Sequence, residues 1–161
     1  VEINLRAIDW VREAARRLGR GFVIIIDYGH DARDLYAGSH THGTLTTFAR
    51  HVAEGPADAG AIPSWLQHPG EQDITAHVDF TSITATAEAE GLSPLGFLDQ
   101  TYFLMGVLEK RGRESFSERD TRALKTLLLP GGLGSTHKVL ILGKDVGTPG
   151  LSGCSYRMRV T

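Results

Sequence analysis

Cysteine occurs once in these 161 residues, at Cys154, so no internal disulfide can staple the chain and a reducing compartment is the default. No apolar run approaches the roughly 20 residues that a bilayer-spanning helix needs. The first residues carry no signal-peptide pattern, and the expectation is a protein that is not inserted in a membrane. Charge of either sign is not in excess: 17 Lys and Arg against 19 Asp and Glu leave a net charge of -2. That balance argues against a nucleic-acid partner and against an acidic tail. There is no G-x-S-x-G, and Cys154 in a turn-rich tail is a poor nucleophile. Two glycine-rich stretches, "RLGRG" at 17–21 and "GGLGS" at 131–135, follow helical pattern and precede strand pattern. A phosphate or dinucleotide loop needs the reverse order, strand then glycines then helix.

What is present is an ordinary soluble composition, 41% hydrophobic and 22% charged, long enough for one core. The chain opens at Val1, already in patterned sequence, as expected of a piece of a longer protein. Ile8, Val11, Ala15 and Leu18 share one helical face, and Gly19 and Gly21 are stop signals. Residues 22–26, "FVIII", are too short for a helix and do not alternate, which predicts a central parallel strand covered on both faces. Residues 31–80 are rich in Gly, Pro, His and Thr, with Trp65 as one apolar anchor in a flexible excursion over 55–70. A stretch this long with weak periodicity is usually functional or disordered. Beyond it the spacing predicts a helix over 83–90, capped by Asp79 or Thr81 and ended by Gly91. It then predicts a short strand at 92–97, placed at an edge or irregular start by Pro94. A helix over 99–110 follows, with Phe103, Val107, Leu104 and Leu108 inward. The next begins at a capping-box-like Ser117-Glu118-Arg119-Asp120 and buries Leu124, Leu127 and Leu128. The last strand lies at 137–143, and "SYRMRV" in the tail is a candidate edge strand.

The chemistry-bearing residues cluster. Asp27-Tyr28-Gly29-His30 ends the first apolar strand, and in open α/β sheets ligands bind beyond the carboxyl ends of strands. Gly29 permits close backbone approach, and His30 exchanges protons near neutrality. The alternative is that Asp27 caps the next turn and Tyr28 packs. His40, Thr41 and His42, with Asp73, His77 and Asp79, invite a metal reading, but the spacing is not diagnostic and no ligand is assigned. Asp73, Thr75, His77 and Asp79 alternate, so an extended segment would place them on one face, solvated or lining a pocket. Asp79 also has the plainer role of a helix N-cap.

The succession "GFVIIIDYGH", "GTLTTFARH", "QDITAHVDFT", "LGFLDQTYFLMG" and "GGLGSTHKVLIL" resembles the MidA-like family of class I S-adenosylmethionine-dependent methyltransferases. Its mitochondrial members are protein arginine methyltransferases needed for assembly of respiratory complex I. The likeness runs over about residues 1–144 and leaves 145–161 as a turn-rich tail. It implies an α/β fold, the C-terminal half of a class I Rossmann-like methyltransferase sheet with the last strand antiparallel. Residues 22–26 would be strand five, 95–97 strand six and 138–142 strand seven, with the helix at 8–18 on one face and a loop-rich cap over about 31–80. The family's acidic glycine-rich cofactor loop would lie upstream of Val1, so no cofactor-binding residue is assigned, although S-adenosylmethionine is the implied cofactor.

The resemblance and the chemistry together put Asp27, His30, Asp73 and Asp79 forward as the groups that orient a guanidinium or take its proton. Tyr28, Gly29, Thr44, Arg50, His51, His77 and Gln100 are the candidate substrate contacts, Thr44 and Gln100 from motif membership only. The implied partner is a protein substrate such as a complex I (NADH dehydrogenase) subunit. The location would be bacterial cytoplasm, or mitochondrial matrix in a eukaryote. Half of such a sheet would leave an open edge and a bare apolar face, to be met by the missing half or by self-association. A metal-dependent hydrolase using the His/Asp cluster and a non-catalytic interaction fragment are the alternatives.

Overall fold

A computed structural model of the protein describes residues 2–49, 52–54, 61–111, 116–129 and 132–156. The chain forms α1 (Leu5–Arg17), β1 (Gly21–His30), α2 (Ala32–Leu35), β2 (Thr46–Ala49), β3 (Val52–Glu54), β4 (Asp73–Thr75) and β5 (Val78–Asp79). It continues through α3 (Phe80–Ala89), β6 (Ser93–Asp99), α4 (Gln100–Arg111), α5 (Glu118–Leu128) and β7 (His137–Lys144). The main sheet has the order β5-β1-β7-β6. β7 runs antiparallel to both β1 and β6, and β5 pairs parallel with the end of β1. The expected mixed α/β architecture with an antiparallel last strand is therefore present. β6 is an edge strand with a register shift between Pro94 and Gly96, since proline has no N–H to donate to a ladder.

Local chemistry sets the helix limits. The Asn4 side chain accepts the Ala7 amide and starts α1 three residues before the predicted apolar face begins. The Asp79 carboxylate accepts the Thr81 and Ser82 amides and starts α3. α3 ends at Gly91, whose φ of 83° lets Leu92 N–H reach the Ala87 carbonyl in a Schellman turn. Ser117 caps α5 through the Asp120 amide.

α1 and α3 pack together on one face of the sheet. Val11, Ala15, Phe80, Ile83, Ala87, Leu92, Leu140 and Leu142 form that core, with Val23, Ile25 and Phe97 against it. The Arg16 guanidinium grips both carboxylate oxygens of Glu90, at 2.9 and 2.8 Å, and ties α1 to the end of α3. On the opposite face Leu98, Val139 and Ile141 are covered by Tyr102 and Phe103 of α4 and by Leu151 and Cys154.

This second layer does not extend over β1, which corrects one expectation. Phe22, Ile24 and Ile26 are 45%, 53% and 48% exposed, so β1 alternates between a covered and a bare face. The strand buried on both faces is β7, where Lys138 through Gly143 are all buried. β1 is central only at its end, because β5 pairs with Gly29 and His30 alone. Two smaller corrections concern the helices: Val107 is exposed, and Leu124, Leu127 and Leu128 of α5 are only half-buried. The candidate edge strand in the tail falls mostly outside the described residues, and Ser155 and Tyr156 are not in a strand.

The described residues between 31 and 80 are more ordered than their composition suggests. β2, β3 and β4 make a small antiparallel sheet in the order β3-β2-β4. Its interior is polar: Thr47 is 2% exposed and donates to Ser64 Oγ at 3.1 Å. Ser64 rather than Trp65 is the buried member of the turn at Ser64–Leu66.

Candidate functional site

The carboxyl ends of β1, β5 and β6 lie at one rim of the sheet, and β7 starts there. The rim is polar. Asp27, Lys138 and Asp99 stand in register across β1, β7 and β6. Lys138, only 3% exposed, donates from Nζ to Asp99 Oδ1 at 2.5 Å and to the Ser135 carbonyl at 3.1 Å. Sequence reasoning missed this ion pair, because two residues 39 apart carry no local signal. Asp27 accepts the Tyr28 amide on Oδ1 at 2.8 Å.

Gly29 is buried and explained by its neighbour. A Cβ there would lie 2.7 Å from the Val78 nitrogen and 2.9 Å from its carbonyl carbon. The glycine permits the parallel pairing of β1 with β5, and no other side chain fits.

Three histidines from separate segments meet at this rim. His30 ends β1, His40 lies in the turn Gly38–His40 after α2, and His77 lies between β4 and β5. Their ring centroids are 5.3 Å apart for His30 and His40, 5.1 Å for His30 and His77, and 5.9 Å for His40 and His77. Tyr28 meets His77 edge-on at 5.7 Å and His137 at 5.6 Å. Burial, then the charges of Lys138 and His40, lower the His30 pKa against the pull of Asp34 and Asp31. Burial, then His30 and His40, lower that of His77 against Glu2. Both rings are thus neutral near pH 7. His77 Nδ1 is buried with no hydrogen-bond partner.

Thr44 links His77 to Glu2. Its hydroxyl accepts the His77 amide at 3.1 Å, and its own amide donates to Glu2 Oε2 at 3.2 Å. Although partial burial opposes it, hydrogen bonds from the Thr44 and Leu45 amides hold the Glu2 carboxyl below its usual value. Glu2 is a second residue that sequence reasoning missed. With Asn4, Tyr36, His77, Asp79, Ser82 and apolar walls including Ile8, Val78 and Ile83, it lines a cleft of about 490 Å³.

The remaining candidates separate. Asp73 is exposed on β4, paired with Phe48 in the small sheet. The extended segment expected over 73–79 is broken between two sheets, so Asp73, Thr75, His77 and Asp79 do not share a face. Asp79 is the cap of α3, and its Oδ2 also accepts the Ser82 hydroxyl at 2.6 Å and the Tyr36 hydroxyl at 3.3 Å. Gln100 donates to the Leu127 carbonyl and ties α4 to α5. Arg50 and His51 lie outside the described residues. The hydrolase alternative loses its acids: neither Asp73 nor Asp79 joins the histidines.

Cys154 is half-buried against the second core cluster, and burial raises its thiol pKa. It is expected to react with a disulfide reagent at pH 7.5 several-fold more slowly than free cysteine, and at the ordinary rate after unfolding, as followed by absorbance.

The mixed sheet, with its antiparallel last strand between β1 and β6 and a polar rim at its strand ends, is the architecture that the motif resemblance implied. Residues 1–98 match the model of a family described as "Putative S-adenosyl-L-methionine-dependent methyltransferase", and the chain belongs to that family. Two solved structures from Burkholderia thailandensis share the fold. One, of an uncharacterised superfamily protein, has 29% identity and a TM-score of 0.75, covering 94% of this chain and 40% of that one. The other belongs to the same superfamily and was crystallised bound to S-adenosyl-homocysteine, with 28% identity and a TM-score of 0.75. That match covers 92% of this chain and 38% of the neighbour, so the present chain spans about two fifths of the length of either. No curated protein matches. No helix among the described residues is long and apolar enough to cross a membrane.

Proposed function

We propose that the complete protein containing this chain transfers a methyl group from S-adenosylmethionine to an arginine side chain of a protein, in the service of complex I assembly. The observation that carries methyl transfer is the S-adenosyl-homocysteine held by a neighbour that matches 92% of this chain. The choice of arginine, and of a complex I subunit in bacterial cytoplasm or mitochondrial matrix, rests on the motif resemblance and on the chemistry of the cleft.

S-adenosylmethionine supplies an electrophilic methyl on a sulfonium, whose sulfur keeps the bonding pair. The described residues include no strand, glycine loop and helix in the order that would seat it: Gly132 and Gly134 lie between α5 and β7. This chain's share is the substrate side. A guanidinium carries only donors, and Glu2 and Asp79 present carboxylate acceptors in the cleft. Ile8, Val78 and Ile83 give its stem an apolar wall. Two carboxylates fix the direction of the attacking nitrogen, which is what an in-line displacement demands, and one receives the proton the nitrogen loses.

The test is label transfer. The complete protein with methyl-labelled S-adenosylmethionine and a protein extract is expected to yield methylarginine. Glu2→Gln and Asp79→Asn are expected to lower kcat/KM by more than about tenfold, and asparagine keeps the helix cap. Label appearing only on another residue type would remove the arginine assignment. Calorimetry showing no binding of S-adenosylmethionine by the complete protein would remove the methyltransferase. This chain alone is expected to bind it weakly or not at all.

A further inference from the structure

We propose that His30, His40 and His77 form a site for one divalent transition metal of the zinc class, with an open coordination position. One ligand nitrogen from each ring lies within 4.8 Å of the other two. Zinc–nitrogen bonds of about 2.0–2.1 Å in tetrahedral geometry place ligand nitrogens ~3.4 Å apart, within reach of small χ rotations. The ring centroids lie 5.1 to 5.9 Å apart, a spacing that three imidazoles ranged round one ion also require.

Two further observations point to a ligand. His40 Nδ1 lies 3.0 Å from the Asp34 carbonyl oxygen, which can only accept. In the neutral ring Nδ1 then carries the proton, and Nε2 keeps the lone pair that a metal takes. A backbone carbonyl that fixes the tautomer of a ligating histidine is a recurrent outer-shell arrangement of zinc sites. The second observation is His77 Nδ1, buried with no partner. A buried polar nitrogen left unpaired is destabilising, and a coordinate bond would satisfy it.

The ring arrangement alone has a plainer reading as aromatic packing with Tyr28. Packing does not require a fixed tautomer on one ring and an orphaned nitrogen on another. Three imidazoles without a carboxylate exclude calcium and magnesium, which take oxygen ligands, and suit zinc, cobalt, nickel or copper. The metal would pin the turn after α2 and the β4–β5 connection to the sheet rim. Its open position would sit beside the Glu2–Asp79 cleft, which shares His77.

The experiment is titration of the complete protein, untagged and treated with a chelator, with Zn²⁺ by calorimetry and Co²⁺ by visible absorption. One equivalent of Zn²⁺ and an intense tetrahedral cobalt band are expected, both lost in His40→Gln. Affinity should fall by more than about 100-fold in His30→Gln and in His77→Gln. It should stay within about twofold in His42→Gln and His68→Gln, which are exposed histidines outside the cluster. Circular dichroism establishes that each variant is folded. If a folded His40→Gln protein binds as the parent does, if the control variants lose as much, or if the parent shows no cobalt band, the site does not exist. Methyl transfer is read separately, so either idea can fail without the other.

Discussion

Replacing Lys138 by alanine is expected to lower stability by about 3–5 kcal/mol, the usual cost of removing one partner of a buried ion pair. The Lys138 Nζ is held 2.5 Å from Asp99 Oδ1, and the side chains are 4% and 14% exposed. Without the cation, the Asp99 carboxyl is left unpaired in a place where water reaches it poorly, and the Ser135 carbonyl loses its donor. Lys138 sits on the strand that is buried on both faces, so the site has little freedom to open. The double variant Lys138→Met with Asp99→Leu is expected to recover most of the loss, because no unpaired charge remains. Urea unfolding of the complete protein measures both. A single variant within about 1 kcal/mol of the parent would mean that Asp99 turns out to water, and the ion pair would then be a surface pair in effect.

Gly29→Ala is expected to cost about 1–3 kcal/mol by overpacking and to lower methyl transfer by roughly 100-fold through misplacement of the rim. The added Cβ would overlap the Val78 backbone from nitrogen to carbonyl oxygen, and a backbone cannot rotate away as a side chain can. β5 must therefore move or lose its pairing with β1. It carries Asp79 and is preceded directly by His77, so the cleft and the histidine cluster move with it. Gly19→Ala is the control: nothing lies within 4 Å of the Cβ that it would add, and the variant should melt with the parent. Melting temperature and transfer rate together decide the point. A Gly29→Ala protein with unchanged activity would mean that the rim tolerates a displaced β5 and that the cleft lies elsewhere.

Much of the fold is legible because its signals are local. Asp79 and Ser117 accept amides two to three residues ahead of them, and Gly91 supplies a positive φ where α3 must stop. Such features depend on a few neighbouring bonds and survive any packing arrangement. The edge position of β6 follows from Pro94 in the same way. The identity of the central strand was not legible. Residues 22–26 and 138–142 are both short apolar runs, and periodicity cannot tell a strand covered twice from one covered once. Which of them is buried depends on where α4 lands, and it lands on β6 and β7.

The site divides along the same line. The rim position of Asp27, Tyr28, Gly29 and His30 was readable, because a strand that stops on polar residues stops at the edge of a sheet. The partners of those residues were not. The alternation of Asp73, Thr75, His77 and Asp79 suggested one face, but the chain turns between β4 and β5 and sends the two acids to different tasks. Glu2 reaches Thr44 across 42 positions, and Lys138 reaches Asp99 across 39.

By itself the sequence determined the four long helices to within a turn, the mixed α/β class, the polar end of the first strand and the family motifs. Each of these is written in spacings of a few residues. Only the tertiary structure decided that β7 is the buried strand, that Phe22, Ile24 and Ile26 face outward, and that His30, His40 and His77 meet. Those outcomes depend on which surfaces are left to cover once the elements have formed. How many faces of a strand are covered is a property of the whole packed chain, and a short apolar run does not encode it.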